Sequence, residues 1–343
     1  MRNVLIALLC CLGLVLPLSC SKKGAEPQGG QQGGQDGGKW IIAVIPKGTL
    51  HVFWKSVHAG AVKASQELGV DIIWQGPTQE DDRVGEIKVV ENMVNREVKG
   101  IVLAPLDDKA LCGPVEDARR KGIPTVIIDS DLTGEAGKDF VSFVATDNEL
   151  GGYKAGKHLA ELLGGKGKVV MLRHNEGSAS THNREEGFLR AIRESPEIEV
   201  ASANQYGGVT TESAMRKSQG LLAPLIKDGK LTIQGIFCPN ESTTSGMLLA
   251  LQDARVAGTA RFVGFDSAEN LVAALRSGEI DGLILQDPVN MGYLGVKTMF
   301  QHLKGQTVKG RIDTGSTLMT KKNMDEPQNK ELLTPDLKKW LNE

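Results

Sequence analysis

Runs of like charge are missing from this 343-residue chain, in which 40 basic and 42 acidic side chains almost cancel. With no basic stripe there is no electrostatic footprint for nucleic acid. Cysteine is scarce. Of five, Cys10, Cys11 and Cys20 lie at the N-terminus, leaving only Cys112 and Cys238 beyond it. These two fall in segments read below as different lobes, so no disulfide is expected, and no CxxC or Cys/His cluster offers a metal site. Phosphate-cradling loops are absent as well. "LLGGKGKVV" lacks the hydroxyl residue and glycine spacing of a P-loop, and "IPKGTL" after the first strand holds no GxGxxG. There is no GxSxG elbow and no HExxH helix. "DSDLTGEAGKDF" opens like a calcium loop with Asp129, Asp131 and Gly134, but Phe140 stands where a bidentate Glu belongs. Ser178, Ser180 and His182 sit where a helix begins and read as capping residues, compatible with ligand contacts from the same turn. These absences point to binding without cofactor or turnover.

What is present begins with an export signal. Arg2, the apolar "VLIALLCCLGLVL" and small Ser19 before Cys20 make residues 1–20 a lipoprotein signal peptide, with Pro17 departing from the usual Leu. Cys20 is the expected lipidation site, and each acyl methylene buried in a bilayer would contribute about 0.8 kcal/mol. Residues 21–39, rich in Gly and Gln, have no apolar face and form a flexible linker. The predicted location is the periplasm or cell envelope, on a membrane anchor.

From Trp40 onward, short β-branched runs alternate with helical patterns. "WIIAVIP" precedes Phe53, Val57, Ala61, Ala64 and Leu68, an apolar stripe ended by Gly69. The near-continuous apolar strands imply parallel sheets covered on both faces. The pattern restarts after "FVSFVATDN", and one echo is visible. "GIVLAP" leads through a helix to "VIIDS", as "GIFCPN" leads to "VGFDS"; Gly100 to Asp129 spans 29 positions and Gly235 to Asp266 spans 31. The predicted fold is α/β, two Rossmann-like doubly wound lobes. In such sheets ligands sit beyond the carboxyl ends of the strands. Those ends carry Asp129, Thr146 with Asp147, Arg173 with His174, Asn240 with Glu241, Asp266, and Gln286 with Asp287. If the lobes face each other by those edges, all point into one cleft. Such a cleft suits neutral polyols, whose vicinal hydroxyls donate to carboxylates through bonds contributing roughly 1.5–3 kcal/mol each.

"ATDNELGGYKAGKHLAELL", "REEGFLRAI", "GIFCPNES", "FVGFDS" and "GEIDGLILQDPVNMGYLGVKTM" occur in the order of the ribose-type periplasmic sugar-binding proteins of ABC importers, which the chain resembles from Trp40 nearly to its end. The resemblance implies a type I periplasmic binding protein fold with three hinge segments. The lobes would be 40–146 with 287–313, and 147–286 with 314–343; Thr146, Asp287 and the region of Asp313 would lie in the hinge. By position it implies stacking by Phe53 and Trp54 with His51 beside them, and hydroxyl contacts from Asp129, Asn240, Asp266 and Gln286; Arg184, two residues beyond His182, is expected to hold hydroxyls with them. Ser130 and His182 stand where the ribose proteins place arginines, and Tyr206 is set where they offer an aromatic. These departures argue against simply copying ribose as the ligand; Asp131 and Glu241 add acid. "IPK…GPT…DSD" is also similar to the autoinducer-2 and rhamnose-type branch. The implied role is capture of a pentose, hexose or related polyol by a monomer that delivers it to a permease. The alternative is an envelope sensor presenting its ligand to a sensor kinase or chemoreceptor. The related lactose-repressor type needs a DNA-binding helix pair that residues 1–39 do not offer.

Overall fold

The computed structural model describes residues 39–341; the signal peptide, Cys20 and nearly all of the linker lie outside the described residues. The first half of the chain lays down β1 (Ile41–Ile45), α1 (Val52–Leu68), β2 (Asp71–Trp74), α2 (Arg83–Asn95), β3 (Gly100–Leu103), α3 (Cys112–Arg120), β4 (Thr125–Ile128) and β5 (Ser142–Ala145). The alternation then repeats with α4 (Asn148–Leu162), β6 (Lys166–Arg173), α5 (Ala179–Arg193), β7 (Glu197–Tyr206) and α6 (Thr211–Leu222). A small hairpin, β8 (Ile226–Lys227) and β9 (Lys230–Leu231), leads to β10 (Gly235–Phe237), α7 (Glu241–Asp253), β11 (Arg261–Phe265), α8 (Glu269–Ser277) and β12 (Gly282–Leu285). The chain ends with α9 (Pro288–Leu303), β13 (Arg311–Asp313), β14 (Thr317–Met319), α10 (Pro327–Leu333) and α11 (Lys338–Leu341).

Two six-stranded sheets result, ordered β13-β5-β4-β3-β1-β2 and β14-β12-β11-β10-β6-β7. Strand pairing in the first is parallel throughout, and in the second only β14 runs antiparallel, against β12. The predicted α/β class with two doubly wound sheets is therefore the observed one. Strands such as "GIVL" and "TVII" are buried on both faces, which only an apolar run tolerates. Helices α1 and α9 cover one face of the first sheet and α2 and α3 the other; in the second lobe α4 and α5 face α6, α7 and α8 across the sheet.

The chain changes lobe three times: between Ala145 and Asn148, between Leu285 and Pro288, and between Asp313 and Thr317. The helices entered by the first two crossings are capped alike. Asp147 accepts from Leu150 N at 2.9 Å, and Asp287 accepts from Asn290 N at 3.0 Å. Asp313 ties two crossings together by accepting from Asp147 N at 3.1 Å and Gly315 N at 2.8 Å. Each crossing helix then packs unusually close to the lobe's leading helix. A Cβ on Gly60 of α1 would sit 1.8 Å from the Val289 carbonyl oxygen of α9, and one on Gly152 of α4 would sit 1.8 Å from that of Arg184 in α5. Only glycine permits backbones this near, and the proximity draws α1 and α5 over the cleft.

The C-terminal segment departs from its expected place in the second lobe. Leu333 of α10 joins that lobe's core, but α11 packs on α1 of the first lobe, with the Lys63 ammonium 6.0 Å from the Trp340 ring.

Candidate functional site

Asp129 and Asp266 each follow the last residue of equivalent strands, β4 and β11. Their amides continue the sheet, Asp129 N donating to Val144 O at 3.2 Å and Asp266 N to Ile284 O at 2.9 Å. At that point both backbones turn left-handed, with φ of 61° and 67°. Non-glycine residues rarely adopt this region and lose about 1–3 kcal/mol there. The turn aims both side chains between the lobes, where they line one small cavity. His51, Phe53, Trp54, Arg184, Asn240 and Gln286 complete its expected walls, joined by Lys47, Glu80, Ser180, Thr181 and Glu241.

In the second lobe, Asp266 receives hydrogen bonds from Gln286 Nε2 at 2.7 Å and Glu241 N at 3.0 Å, with Arg184 Nη1 3.9 Å away. Burial pushes its carboxyl up, against the pull of Arg184 and these donors. Arg184 is itself held by Asn148 Oδ1 at 2.8 Å and Pro239 O at 3.0 Å, its guanidinium 4.4 Å from the Phe265 ring. Asn240 caps α7 by accepting from Thr243 N at 3.3 Å. The Gln286 Oε1 oxygen is buried with no partner among the described residues. A buried acceptor left open in a polar cavity is a place for a ligand hydroxyl.

The first lobe contributes a second cluster. Glu80 accepts from Trp54 Nε1 at 2.6 Å and lies 2.9 Å from His51 Nδ1. Burial pushes the Glu80 carboxyl up, but His174 and His51 outweigh it and hold it well below the usual range. Burial lowers His51 in turn, yet Glu80 raises it to about 9, so the pair is ionic at neutral pH. Trp54 thus serves two ends: its ring packs in the first-lobe core, 4.9 Å from Phe53 and edge-on, and its N–H orients Glu80.

Several bonds cross between the lobes. Glu241 of α7 accepts from Val52 N at 3.3 Å and Phe53 N at 3.1 Å, capping α1, whose own N-cap His51 makes no capping bond. His174 Nε2 is 3.3 Å from Glu80 Oε2, and Arg83 donates to Glu176 O at 2.7 Å. Ser180 N donates to Ser130 Oγ at 3.1 Å. These contacts make the structure the closed form.

Three expected site residues do not line the cavity. His182 is exposed on α5, because Arg184, two residues on, occupies the helix face turned to the cleft. Tyr206 is 41% exposed at the end of edge strand β7, whose bulged pairing with β6 upsets the alternation that would have turned it inward. Ser130 is buried but spends its hydroxyl on Ser180 N and does not line the cavity. Arg173, also at a strand end, pairs with Glu185 at 2.6 Å inside its own lobe. Lys47 and Glu80 were missed by the sequence reading; both follow first-lobe strands at the carboxyl edge, the same signal that singled out Asp129.

Residues 42–307 match the family model described as a periplasmic binding protein domain. The ribose import binding protein of Haemophilus influenzae is 31% identical over 76% of this chain and 84% of its own length. The D-allose-binding periplasmic protein of Escherichia coli is 28% identical over 75% and 82%. Among solved structures, a carbohydrate transporter solute-binding protein from Agrobacterium radiobacter in complex with D-arabinose is 32% identical with a TM-score of 0.81, covering 86% of this chain and 99% of that one. An ABC transporter solute-binding protein from Agrobacterium vitis with bound D-fucose is 33% identical with a TM-score of 0.81, covering 86% and 100%. With a two-lobed fold, a cavity between the lobes and a match of this extent, the chain belongs to the periplasmic binding protein family.

Proposed function

We propose that this protein is the sugar-capturing component of an ABC importer, binding one small neutral sugar or polyol between its lobes and delivering it to a permease. The observation that carries the proposal is the convergence of Asp129 and Asp266, strand-end acids of two similar lobes, on one polar cavity. Asp129, Asp266, Asn240, Gln286 and Arg184 hold hydroxyls, and the Phe53 and Trp54 rings wall the C–H face of the sugar. The site is richer in acceptors than in free donors, because Lys47 is engaged and Arg184 already gives its Nε and Nη1 to protein. That balance favours a ligand whose hydroxyls donate. The three crossings act as the hinge, and sugar shifts the population toward closure because only the closed form offers it both lobes. Relatives bind ribose, D-allose and D-arabinose by their names, which sets the chemical class to be tried first.

A lipid anchor at Cys20 belongs to the same proposal and rests on the sequence of residues 1–20. No helix among the described residues is long and apolar enough to cross a membrane. The test of the main proposal is a thermal-shift screen over pentoses, hexoses, amino sugars and polyols. A ligand at a hundredfold excess over its Kd stabilises by about 2.7 kcal/mol, several degrees for a domain pair of this size. If no sugar or polyol moves the midpoint, the proposal fails.

A further inference from the structure

Lys47 is almost fully buried although it carries a charge, and its ammonium has three partners for its three protons. Asp129 Oδ2, in its own lobe, is 3.0 Å away. Ser178 Oγ at 3.2 Å and Ser180 Oγ at 3.0 Å belong to the opposite lobe, at the start of α5. Ser178 makes no capping bond to its own helix, so its hydroxyl is free for this contact. The same short segment of the second lobe is gripped from the first at three more points. Ser130 Oγ accepts from Ser180 N at 3.1 Å, Asp108 N donates to Gly177 O at 3.2 Å, and Arg83 reaches Glu176 O at 2.7 Å while pairing with Asp107 at 2.9 Å. Residues 176–180 thus form a clasp whose other half is the first lobe, and Lys47 is its buried, charged member.

We infer that Lys47 is a positioning residue that pins the closed form through Ser178 and Ser180 and presents Asp129 to the ligand by taking one of its two oxygens. Its effect enters through the fraction of molecules that are closed, and apparent affinity scales with that fraction for every ligand alike. A side chain that touches the ligand behaves differently: its loss is felt unequally by sugars that differ at the hydroxyl it holds. The inference rests on the cleft being the sugar site, but its conformational half is testable without any sugar.

The experiment uses the mature protein and the variant Ser178→Ala, outside the cavity wall, which removes one of the two cross-lobe bonds of Lys47 while leaving the Lys47–Asp129 pair in place. Titration calorimetry with D-ribose, D-allose, D-arabinose and xylitol is expected to show every measurable Kd raised by one common factor of about ten, the weight of a charge-assisted bond at the low end of its range. Small-angle scattering of the ligand-free variant is expected to give a larger radius of gyration than wild type, with the thermal midpoint of both alike. Unchanged Kd values, or a loss that differs among the sugars, overturn the inference while leaving sugar binding intact. If wild type binds none of the four, the sugar reading is in question, and the scattering comparison alone decides the pin. Equal radii then overturn it. Lys47→Met is the confirming variant, expected to lose at least as much affinity because Asp129 is then unpaired.

Discussion

Glu241 is the side chain through which pH should reach sugar affinity. Its carboxylate belongs to the second lobe but accepts from Val52 N and Phe53 N of the first, so the two lobes together bury it. Burial raises its carboxyl from the ordinary 4.5 to about 7, in spite of His51 and the two amides, with Asp266 pushing the same way. When the lobes part, water reaches the group and its ordinary value returns. The closed state therefore holds a proton more tightly than the open one. The contribution of Glu241 to closure and sugar affinity is greatest below about pH 4.5, falls as pH rises, and levels off above about pH 7. The gap corresponds to about 3 kcal/mol, roughly a few hundredfold in Kd across the window. Replacing Glu241 by Gln leaves a neutral acceptor for α1 and no proton to exchange. Asp266, also raised, contributes a residual slope of the same sign. Calorimetric titration of the best sugar at pH 5, 6, 7 and 8 should thus show weakening with pH in wild type and a much flatter profile in Glu241→Gln. A wild-type Kd that improves with pH, or a variant that keeps the full slope, would refute the reasoning.

Other outcomes follow from the same physics. Glu86, fully buried and accepting from Leu106 N at 3.0 Å, is raised by burial to about 8 against that bond. Its stabilising contribution is present below about pH 4.5 and is lost as pH climbs through 8, so Glu86→Gln should flatten the alkaline fall of the unfolding midpoint, worth up to about 4–5 kcal/mol; denaturant melts from pH 5 to 9 check it. Gly60→Ala pushes a methyl into the Val289 carbonyl and should lower stability by about 1–3 kcal/mol in urea melts, the overpacking range. Asp266→Asn keeps a residue type that tolerates the left-handed turn; a loss of roughly a hundredfold in sugar affinity with little change in the ligand-free midpoint is expected. Cys20→Ser should release the protein from membranes in a fractionation assay, and continued membrane association would remove the lipid anchor from the proposal.

Much of this molecule could be read from local pattern. The apolar runs at "GIVL", "TVII" and "GLIL" could only be strands buried on both faces, and the α1 stripe from Phe53 to Leu68 could only face a sheet. Periods of 2 and 3.6 are properties of short segments, so they survive without knowledge of the fold. The rule that ligands gather beyond strand ends then selected Asp129, Asp266 and Gln286, all of which line the cavity. What escaped was decided by partners far away along the chain. Lys47 finds Ser178 across 131 positions and Glu80 finds His174 across 94, and nothing local to "IPKG" or "PTQE" announces either meeting. Glu241 was noticed only as extra acid, because its role is to cap a helix of the opposite lobe. His182 and Tyr206 were misplaced for a related reason: one step of helix phase and one strand bulge are each enough to turn a side chain from cleft to solvent. The sequence by itself determined the elements, their layering and the acidic strand ends, since these follow from local sterics and hydrophobic periodicity. Only the tertiary structure decided which charges meet across the cleft, since that depends on how two lobes are brought face to face by three crossings of the chain.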